Sequence, residues 1–269
     1  MKKISHGGNI YKKAKEMGIQ EEDILDFSAN ISPLGLPEHI RRAMIEAIDG
    51  TINYPDPDCS RLKEAISKQD NVPESHITCG NGGADLLYRL AFGLHPKKVL
   101  LPAPAFVEYE EALSAAGAQM EYYLMRDDFV IKEDILEQIT EETDFVVICN
   151  PNNPTGILTE KELILRVLER AKETNTFVMA DECFLEICQN ESEYTVKPFI
   201  EKYENLIILK SFTKLYAIPG VRLGYILAGS EDVIAKVNRT GQAWSVSHIA
   251  QCAGVAALSD NVYKERVIE

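Results

Sequence analysis

The stretch SFTKLYAIPGVRLGY occupies residues 211–225 and follows a short apolar run at residues 206–209. A solitary lysine in a loop is usually a solvated surface group. Lys214, however, comes directly after two hydroxyl residues, Ser211 and Thr213, and precedes Arg222 in a glycine-containing run. Hydroxyl, amine and guanidinium groups gathered after a strand indicate a binding site, and this segment is the strongest such signal in the chain.

Short apolar runs alternate with helical patterns from residue 77 onwards. Seven of these runs are strand candidates, at residues 77–79, 99–101, 120–124, 145–149, 177–180, 206–209 and 225–228. Most are continuously apolar rather than alternating, which is typical of parallel strands that are covered on both faces. The helical faces between them, such as Leu86, Leu87 and Leu90, favour a mostly parallel sheet flanked by helices.

Three further segments also stand where a predicted strand ends. GNGGAD at residues 80–85 opens a helix, NPNNPTG at residues 150–156 follows a buried strand, and Asp181 ends another. Taken singly, these features are equally explained by a tight turn, a loop and a helix N-cap. Open α/β sheets bind ligands beyond the carboxyl ends of their strands, so all four segments together indicate one shared site.

The composition narrows the classes of partner. The 269 residues include 28 lysines and arginines against 42 acidic residues, which gives a formal charge of −14. A field of that sign repels phosphodiester backbones and anionic lipids, so we expect neither a nucleic acid nor a membrane as a partner. An anionic small substrate must therefore be captured by local donors.

The cysteine pattern and the N-terminus bear on location. The six cysteines show no metal-ligand spacing, so we expect neither a metal site nor structural disulfides. The N-terminus lacks an apolar stretch of signal-peptide length, and no run approaches the length that spans a membrane. These features predict a cytoplasmic protein.

The chain divides into two predicted regions. Residues 1–53 contain helical and Pro/Gly-rich segments without a strong strand, and Pro37 suits the first turn of a helix. This region is predicted to lie outside the main sheet, which residues 54–269 would form. The chain reaches Glu269 inside a helical pattern without a stop signal, which we interpret as truncation.

The order of GNGGAD, NPNNPTG, ADE, SFTK and GVRLGY resembles fold-type I pyridoxal-phosphate enzymes of the class I/II aminotransferase superfamily, particularly the histidinol-phosphate aminotransferase branch. The resemblance implies a three-layer αβα large domain around a mixed, mostly parallel seven-stranded sheet, with the small C-terminal domain missing from this chain. It also implies two catalytic residues. Lys214 would form the Schiff base with pyridoxal phosphate, and Asp181 would pair with the pyridinium nitrogen.

The same resemblance implies the remaining cofactor contacts. Asn153 would donate to the phenolic oxygen, Phe106 would stack on the ring, and Tyr54 would reach the cofactor phosphate of the partner subunit in a homodimer. The cofactor phosphate would meet the following residues: Gly83, Ala84, Ser211, Thr213 and Arg222. Many relatives carry tyrosine where this chain has Phe184, which leaves Asn153 as the main neutral partner of the phenolic oxygen.

The N-terminal motifs HGGN at residues 6–9 and DFSANISPLG at residues 26–35 resemble the threonine-phosphate decarboxylases of cobalamin biosynthesis. In that branch His6, Gly7 and Asn30 match positions that contact the substrate phosphate, and Asn153 lies near its carboxylate. The implied reaction converts L-threonine O-3-phosphate to (R)-1-aminopropan-2-ol phosphate. A histidinol-phosphate or related aminotransferase and a non-catalytic cofactor-binding module are the alternatives. Without the resemblance, residues 6–9 are also explained by a disordered tail with an incidental histidine.

Overall fold

The computed structural model describes residues 7–269 and contains one seven-stranded sheet. All seven predicted strands are present, most of them one or two residues longer than predicted. Their bounds are β1 (Ile77–Gly80), β2 (Lys98–Ala103), β3 (Gln119–Leu124), β4 (Phe145–Cys149), β5 (Phe177–Asp181), β6 (Leu206–Ser211) and β7 (Gly224–Ala228). The continuous apolar runs were a reliable strand signal because almost every residue of β1, β4, β5, β6 and β7 is buried.

The strand order is β1-β7-β6-β5-β4-β2-β3, and only β7 runs antiparallel to its neighbours. The sheet is therefore mixed and mostly parallel, which confirms the predicted fold class. Because the other six strands share one direction, their carboxyl ends lie along the same edge. β5 and β6 are adjacent, with Asp181 paired in register with Leu209. This edge brings the segments that follow β1, β4, β5 and β6 together.

Eleven α-helices occur in the described part of the chain, and most of the longer ones cover the two faces of the sheet. Their bounds are α1 (Ile10–Met17), α2 (Glu38–Glu46), α3 (Ser60–Asp70), α4 (Gly83–Leu94), α5 (Val107–Ala115), α6 (Ile135–Gln138), α7 (Lys161–Glu173), α8 (Glu191–Tyr194), α9 (Glu231–Thr240), α10 (His248–Ala257) and α11 (Asn261–Ile268). Helices α4, α5 and α9 contribute to one hydrophobic core, and α3, α7 and α10 contribute to the other.

Residues along β6 alternate between these two cores. Ile207 and Leu209 pack into the core beneath α4 and α5, while Leu206 and Ile208 pack into the core beneath α7. A helix layer on each face of a central sheet is the three-layer arrangement that the sequence predicted.

The N-terminal region contains helices and, from residue 7 to residue 53, no strand. Pro37 is the N-cap of α2 rather than a residue of its first turn, because it keeps an extended backbone and the helix begins at Glu38. Ile40 is fully buried where α2 packs against α10. The division at residue 53 stays a prediction.

A cluster of buried charges lies on the face of β6 opposite to Leu209 and Ser211. Lys210 is 0% exposed, and its Nζ lies 3.8 Å from Glu182 Oε2, 3.7 Å from Glu186 Oε2 and 3.6 Å from Glu191 Oε1. Burial alone would lower the pKa of Lys210, but the surrounding carboxylates, Glu186 first, raise it above its usual value. The ammonium group therefore stays charged inside the fold.

The end of β7 provides a test of the packing. A Cβ atom added at Gly229 would overlap the carbonyl oxygen of Tyr203 and lie 2.7 Å from that of Ile200. Gly229→Ala is therefore expected to lower the free energy of unfolding by about 1–3 kcal/mol, because backbone atoms cannot move aside cheaply. Gly220→Ala is the control, since nothing lies within 4 Å of a Cβ at that position. Urea denaturation should show a change below about 0.5 kcal/mol for the control. Equal stability of the two variants would contradict this packing.

Candidate active site

A cavity of about 180 Å³ opens at the carboxyl edge of the sheet, where β1, β4, β5 and β6 end. Nine of the ten predicted cofactor-binding residues line it. Its lining comprises Gly83, Ala84, Leu87, Phe106, Tyr109, Cys149, Asn153, Asp181, Cys183, Phe184, Leu209, Ser211, Thr213, Lys214 and Arg222. Sequence segments that are far apart along the chain therefore meet in one place.

One end of the cavity suits an anion. Helix α4 begins at Gly83, so the free backbone N–H groups of its first turn face this end. Gly82 precedes it with φ 85°, and a Cβ at that position would lie 2.6 Å from Arg222 Nη2. The glycine thus allows the guanidinium group to approach the start of the helix. The backbone N–H of Thr213 donates to Ser211 Oγ at 3.1 Å, which fixes the position of the Ser211 hydroxyl in the cavity lining.

Asp181 lines the cavity and is 6% exposed. Tyr109 Oη donates to its Oδ2 at 2.7 Å, and Cys183 N donates to its Oδ1 at 2.9 Å. Burial raises the pKa of Asp181, and these two donors oppose the rise. The N-cap alternative fails, because the next helical turn begins only at Leu185. A buried carboxylate held in this way is suited to face a cationic ligand atom.

The amine of Lys214 projects from the loop after β6. Its Nζ donates to the carbonyl oxygen of Ala29 at 2.9 Å and lies 5.2 Å from the centroid of the Phe184 ring. Burial lowers the pKa of Lys214, while the nearby Asp181 carboxylate opposes the shift. A lowered pKa raises the fraction of free amine, which is the nucleophilic form.

Two aromatic side chains come from the start of α5. Phe106 precedes the helix and lines the cavity, and its ring lies edge-on to Tyr109 with centroids 5.6 Å apart. Sequence reasoning missed Tyr109. Its position three residues after Phe106 was a usable signal, because that spacing places both side chains on one side of a helix.

Two thiols also face the cavity without having been predicted there. Cys149 and Cys183 both line it beside Asp181. Burial raises the pKa of Cys149 to about 12, and it raises that of Cys183 as well. Both groups are therefore protonated at neutral pH and serve as wall atoms rather than nucleophiles. All six cysteines are free thiols in the structure.

A second cavity of about 410 Å³ adjoins the first and shares Asn153 and Phe184 with it. Asn30 lies in its wall, and the expected contact of Asn30 with a substrate phosphate stays a prediction. The lining comprises Asn30, Ile31, Ser32, Pro33, Pro151, Asn152, Asn153, Pro154, Gly156, Phe184, Ile187, Cys188 and Val267. None of these side chains carries a charge, so within residues 7–269 the polar contacts of this cavity come from amide, hydroxyl and backbone groups.

The N-terminal segment lies against the loop that carries Lys214. Ser32 N donates to the carbonyl oxygen of Lys214 at 3.1 Å, and Gly8 N donates to Ser28 Oγ at 2.8 Å. Gly7 packs so closely on Ser28 that a Cβ atom would overlap its carbonyl oxygen. Gly7 does not line either cavity. His6, the other residue predicted beside it, lies outside the described residues.

Tyr54 is the predicted cofactor residue that does not reach the cavity. It is 78% exposed and stacks on Trp244, with ring centroids 4.5 Å apart. An exposed position is consistent with the expected role of Tyr54 at a partner subunit, and that role stays a prediction.

The family model for class I and II aminotransferases matches residues 22–267. The chain belongs to this family. Its threonine-phosphate decarboxylase relative from Salmonella typhimurium is 36% identical over 263 residues, which are 97% of this chain and 72% of that protein. Family membership confirms the resemblance found in the sequence, and pyridoxal phosphate is the cofactor of the family.

Solved structures agree with the fold. The histidinol-phosphate aminotransferase from Clostridium acetobutylicum has a TM-score of 0.85 and 30% identity, covering 91% of this chain and 72% of that one. The L-threonine-O-3-phosphate decarboxylase from Porphyromonas gingivalis has a TM-score of 0.80 and 28% identity, covering 89% and 70%. Both activities thus occur among similar proteins. In the described part of this chain, no helix combines the length and apolar character needed to cross a bilayer.

The burial of Asp181 leads to a prediction about the cofactor-free protein. Because its folded-state pKa is raised, the ionised carboxylate destabilises the fold; this penalty is absent below the unfolded pKa and complete above the folded one. Asp181→Asn is therefore expected to be more stable than the wild type at neutral pH, with the difference vanishing in acid. Urea denaturation at several pH values measures this difference.

Asp127→Asn serves as the control, because it removes the same charge from an exposed position. It should show no gain that grows with pH. An Asp181→Asn protein that is less stable than the wild type at neutral pH would mean that the protein itself compensates the buried carboxylate.

Proposed function

We propose that this chain acts as a pyridoxal-phosphate-dependent decarboxylase that converts L-threonine O-3-phosphate to (R)-1-aminopropan-2-ol phosphate. One observation carries the proposal. The segment containing Ala29 and Asn30 lies against Lys214, with Asn30 in the wall of the adjoining cavity. This is the segment whose sequence resembles the decarboxylase branch, and the 36% identical relative is named threonine-phosphate decarboxylase.

The residues of the first cavity fit the cofactor. The start of α4 and Arg222 would hold its phosphate, together with the hydroxyls that follow β6. Phe106 would cover one face of the ring, and Asn153 would donate to its phenolic oxygen. When bound, pyridoxal phosphate supplies an electron sink for a bond that breaks at the substrate Cα.

Asp181 would act through its charge. A carboxylate with two fixed hydrogen bonds cannot turn away from the cavity, and Tyr109 holds the oxygen Oδ2. It would keep the pyridine nitrogen protonated, and this interaction matters most when negative charge develops on the ring. We therefore assign Asp181 a catalytic role and Tyr109 a positioning role.

Lys214 would move the proton. Its Nζ has a lowered pKa because of burial, so the free amine is accessible. The free amine would take up the proton that the substrate ammonium group loses on binding, and the resulting ammonium group would deliver it to the substrate Cα after carbon dioxide leaves. The bond that breaks at Cα is the one held perpendicular to the ring, so the outcome depends on donors that hold the carboxylate and the phosphate.

The adjoining cavity supplies only some of the donors that would hold the carboxylate and the phosphate of the substrate. Asn30 and Asn153 offer amide groups and Ser32 a hydroxyl, while a phosphate ester calls for a cation as well. We propose His6 as one such cation. His6 lies outside the described residues.

Assembly and location form part of the proposal. The exposed stack of Tyr54 on Trp244 suits a surface that a second copy of this chain covers. We propose a homodimer in the cytoplasm in which Tyr54 completes the cofactor-phosphate site of the partner. The second candidate function is histidinol-phosphate aminotransferase, which the TM-score of 0.85 to the Clostridium acetobutylicum enzyme favours.

Two substrates offered in parallel test the proposal. L-threonine O-3-phosphate alone, and histidinol phosphate with 2-oxoglutarate, are incubated with the holoenzyme while carbon dioxide and glutamate are measured. Carbon dioxide from the first substrate is expected. Glutamate from the second substrate without carbon dioxide from the first would make the protein an aminotransferase, and cofactor binding without either product would make it a non-catalytic module.

A matched pair of variants ties the activity to the structure. Asn30 has φ 46°, so Asn30→Gly removes the amide without straining the backbone. Loss of one charge-assisted hydrogen bond should lower kcat/KM roughly ten- to hundredfold and leave the visible absorption of the bound cofactor unchanged. Asn71→Gly is the control, because Asn71 has φ 55° and is exposed at the end of α3. Equal kcat/KM values for both variants would remove Asn30 from the substrate site.

A further inference from the structure

Helix α11 lies beside the second cavity, and Val267 of this helix is part of the cavity wall. Asp260 caps the helix by accepting a hydrogen bond from Val262 N at 2.9 Å. Tyr263, Lys264 and Val267 follow the three- and four-residue spacing of one helical face. This face is turned toward the protein, while Glu265 and Arg266 are exposed.

Tyr263 holds the first wall of the cavity, which residues 30–33 form. Its hydroxyl donates to the carbonyl oxygen of Gly35 at 2.8 Å and lies 3.1 Å from Ser32 Oγ. Its ring stacks on Tyr216 with centroids 6.1 Å apart, and Ser32 N bonds the backbone of Lys214. The buried Tyr263 thus ties the N-terminal segment to the loop that carries the lysine.

Lys264 holds the second wall, which includes Phe184, Ile187 and Cys188. Its Nζ lies 2.6 Å from Glu191 Oε2 and 3.6 Å from Glu186 Oε1. Glu186 belongs to the short helix Leu185–Ile187, against which α11 packs. The side chains of Lys264 and Glu191 are only 22% and 18% exposed, so water screens this ion pair less than a surface pair.

The placement of the buried Lys210 makes the ion pair between Lys264 and Glu191 more important for the second wall. Lys210 Nζ faces Glu186 and Glu191 at 3.7 and 3.6 Å but makes no hydrogen bond to the described residues. Lys264 therefore provides the direct hydrogen bond to Glu191 that joins the second wall to α11.

We infer that α11 is a clamp that fixes the separation of the two walls of the cavity, with Tyr263 and Lys264 as positioning residues for the substrate. The inference deepens the proposed function and rests on it in one respect, namely that the substrate occupies this cavity. Neither residue lines the cofactor cavity, so the clamp acts on substrate orientation rather than on cofactor binding.

Hydrogen exchange and kinetics of the holoenzyme test the clamp. Tyr263→Phe keeps the ring but removes the hydroxyl, and should speed amide exchange in residues 29–35 by about threefold or more. Lys264→Gln should do the same for residues 184–191. Each variant should lower kcat/KM for L-threonine O-3-phosphate by about three- to tenfold without changing the visible absorption of the bound cofactor.

Two further variants separate positioning from general destabilisation. Arg266→Gln removes the same charge from the exposed face of α11 and should change neither exchange nor kinetics. Lys264→Arg keeps the charge and should restore kcat/KM to within about twofold of the wild type.

Unchanged exchange in both wall segments would overturn the clamp. Faster exchange with kcat/KM equal to that of Arg266→Gln would overturn the positioning role. A wild type that releases no carbon dioxide would overturn the proposed function, and exchange alone would then decide whether α11 holds the walls.

Discussion

The buried carboxylate of Asp181 is the constraint on which the rest of the site depends. It is 6% exposed and held by Tyr109 and Cys183, so it cannot reach water to satisfy its charge. A cationic ring nitrogen facing it would offset that penalty, and the neighbouring strand places Lys214 at the same cavity. Burial raises the pKa of the acid and lowers that of the amine. We propose that this shared desolvation favours the pairing of Asp181 with a cationic ring nitrogen and keeps more of Lys214 as free amine.

The same two strands carry charges on their opposite face. Glu182 follows Asp181 directly, and Lys210 stands between Leu209 and Ser211, which line the cavity. Because side chains alternate along a strand, these neighbours point to the other core, where Glu182 Oε2 lies 3.8 Å from Lys210 Nζ. Glu182 also accepts hydrogen bonds from Thr195 Oγ1 and Val196 N at 2.8 and 2.9 Å. The ends of β5 and β6 are therefore fixed from both faces of the sheet, which keeps the site residues in place.

Much of this architecture could be predicted from local sequence. Short, mostly apolar runs identified every strand, and the motif at residues 211–225 drew attention to Lys214, because both signals lie within a few consecutive residues. Contacts between distant segments carry no such signal. The bond from Tyr263 to Gly35 joins residues 228 positions apart, and the bond from Lys214 to Ala29 spans 185. The contact of Tyr109 with Asp181 and the contacts of α11 became visible only in the fold, because the packing of distant segments decides which residues meet at a site.

We propose that Lys214 is the lysine that bonds pyridoxal phosphate. Borohydride reduction of the holoprotein followed by peptide mapping tests it directly, because reduction makes the bond to the lysine permanent. Lys210 is an internal control: it lies four residues away, but its pKa is raised by the carboxylates around it, whereas burial lowers that of Lys214. We expect the cofactor on Lys214 alone. Label on Lys210 or on any other lysine would contradict it.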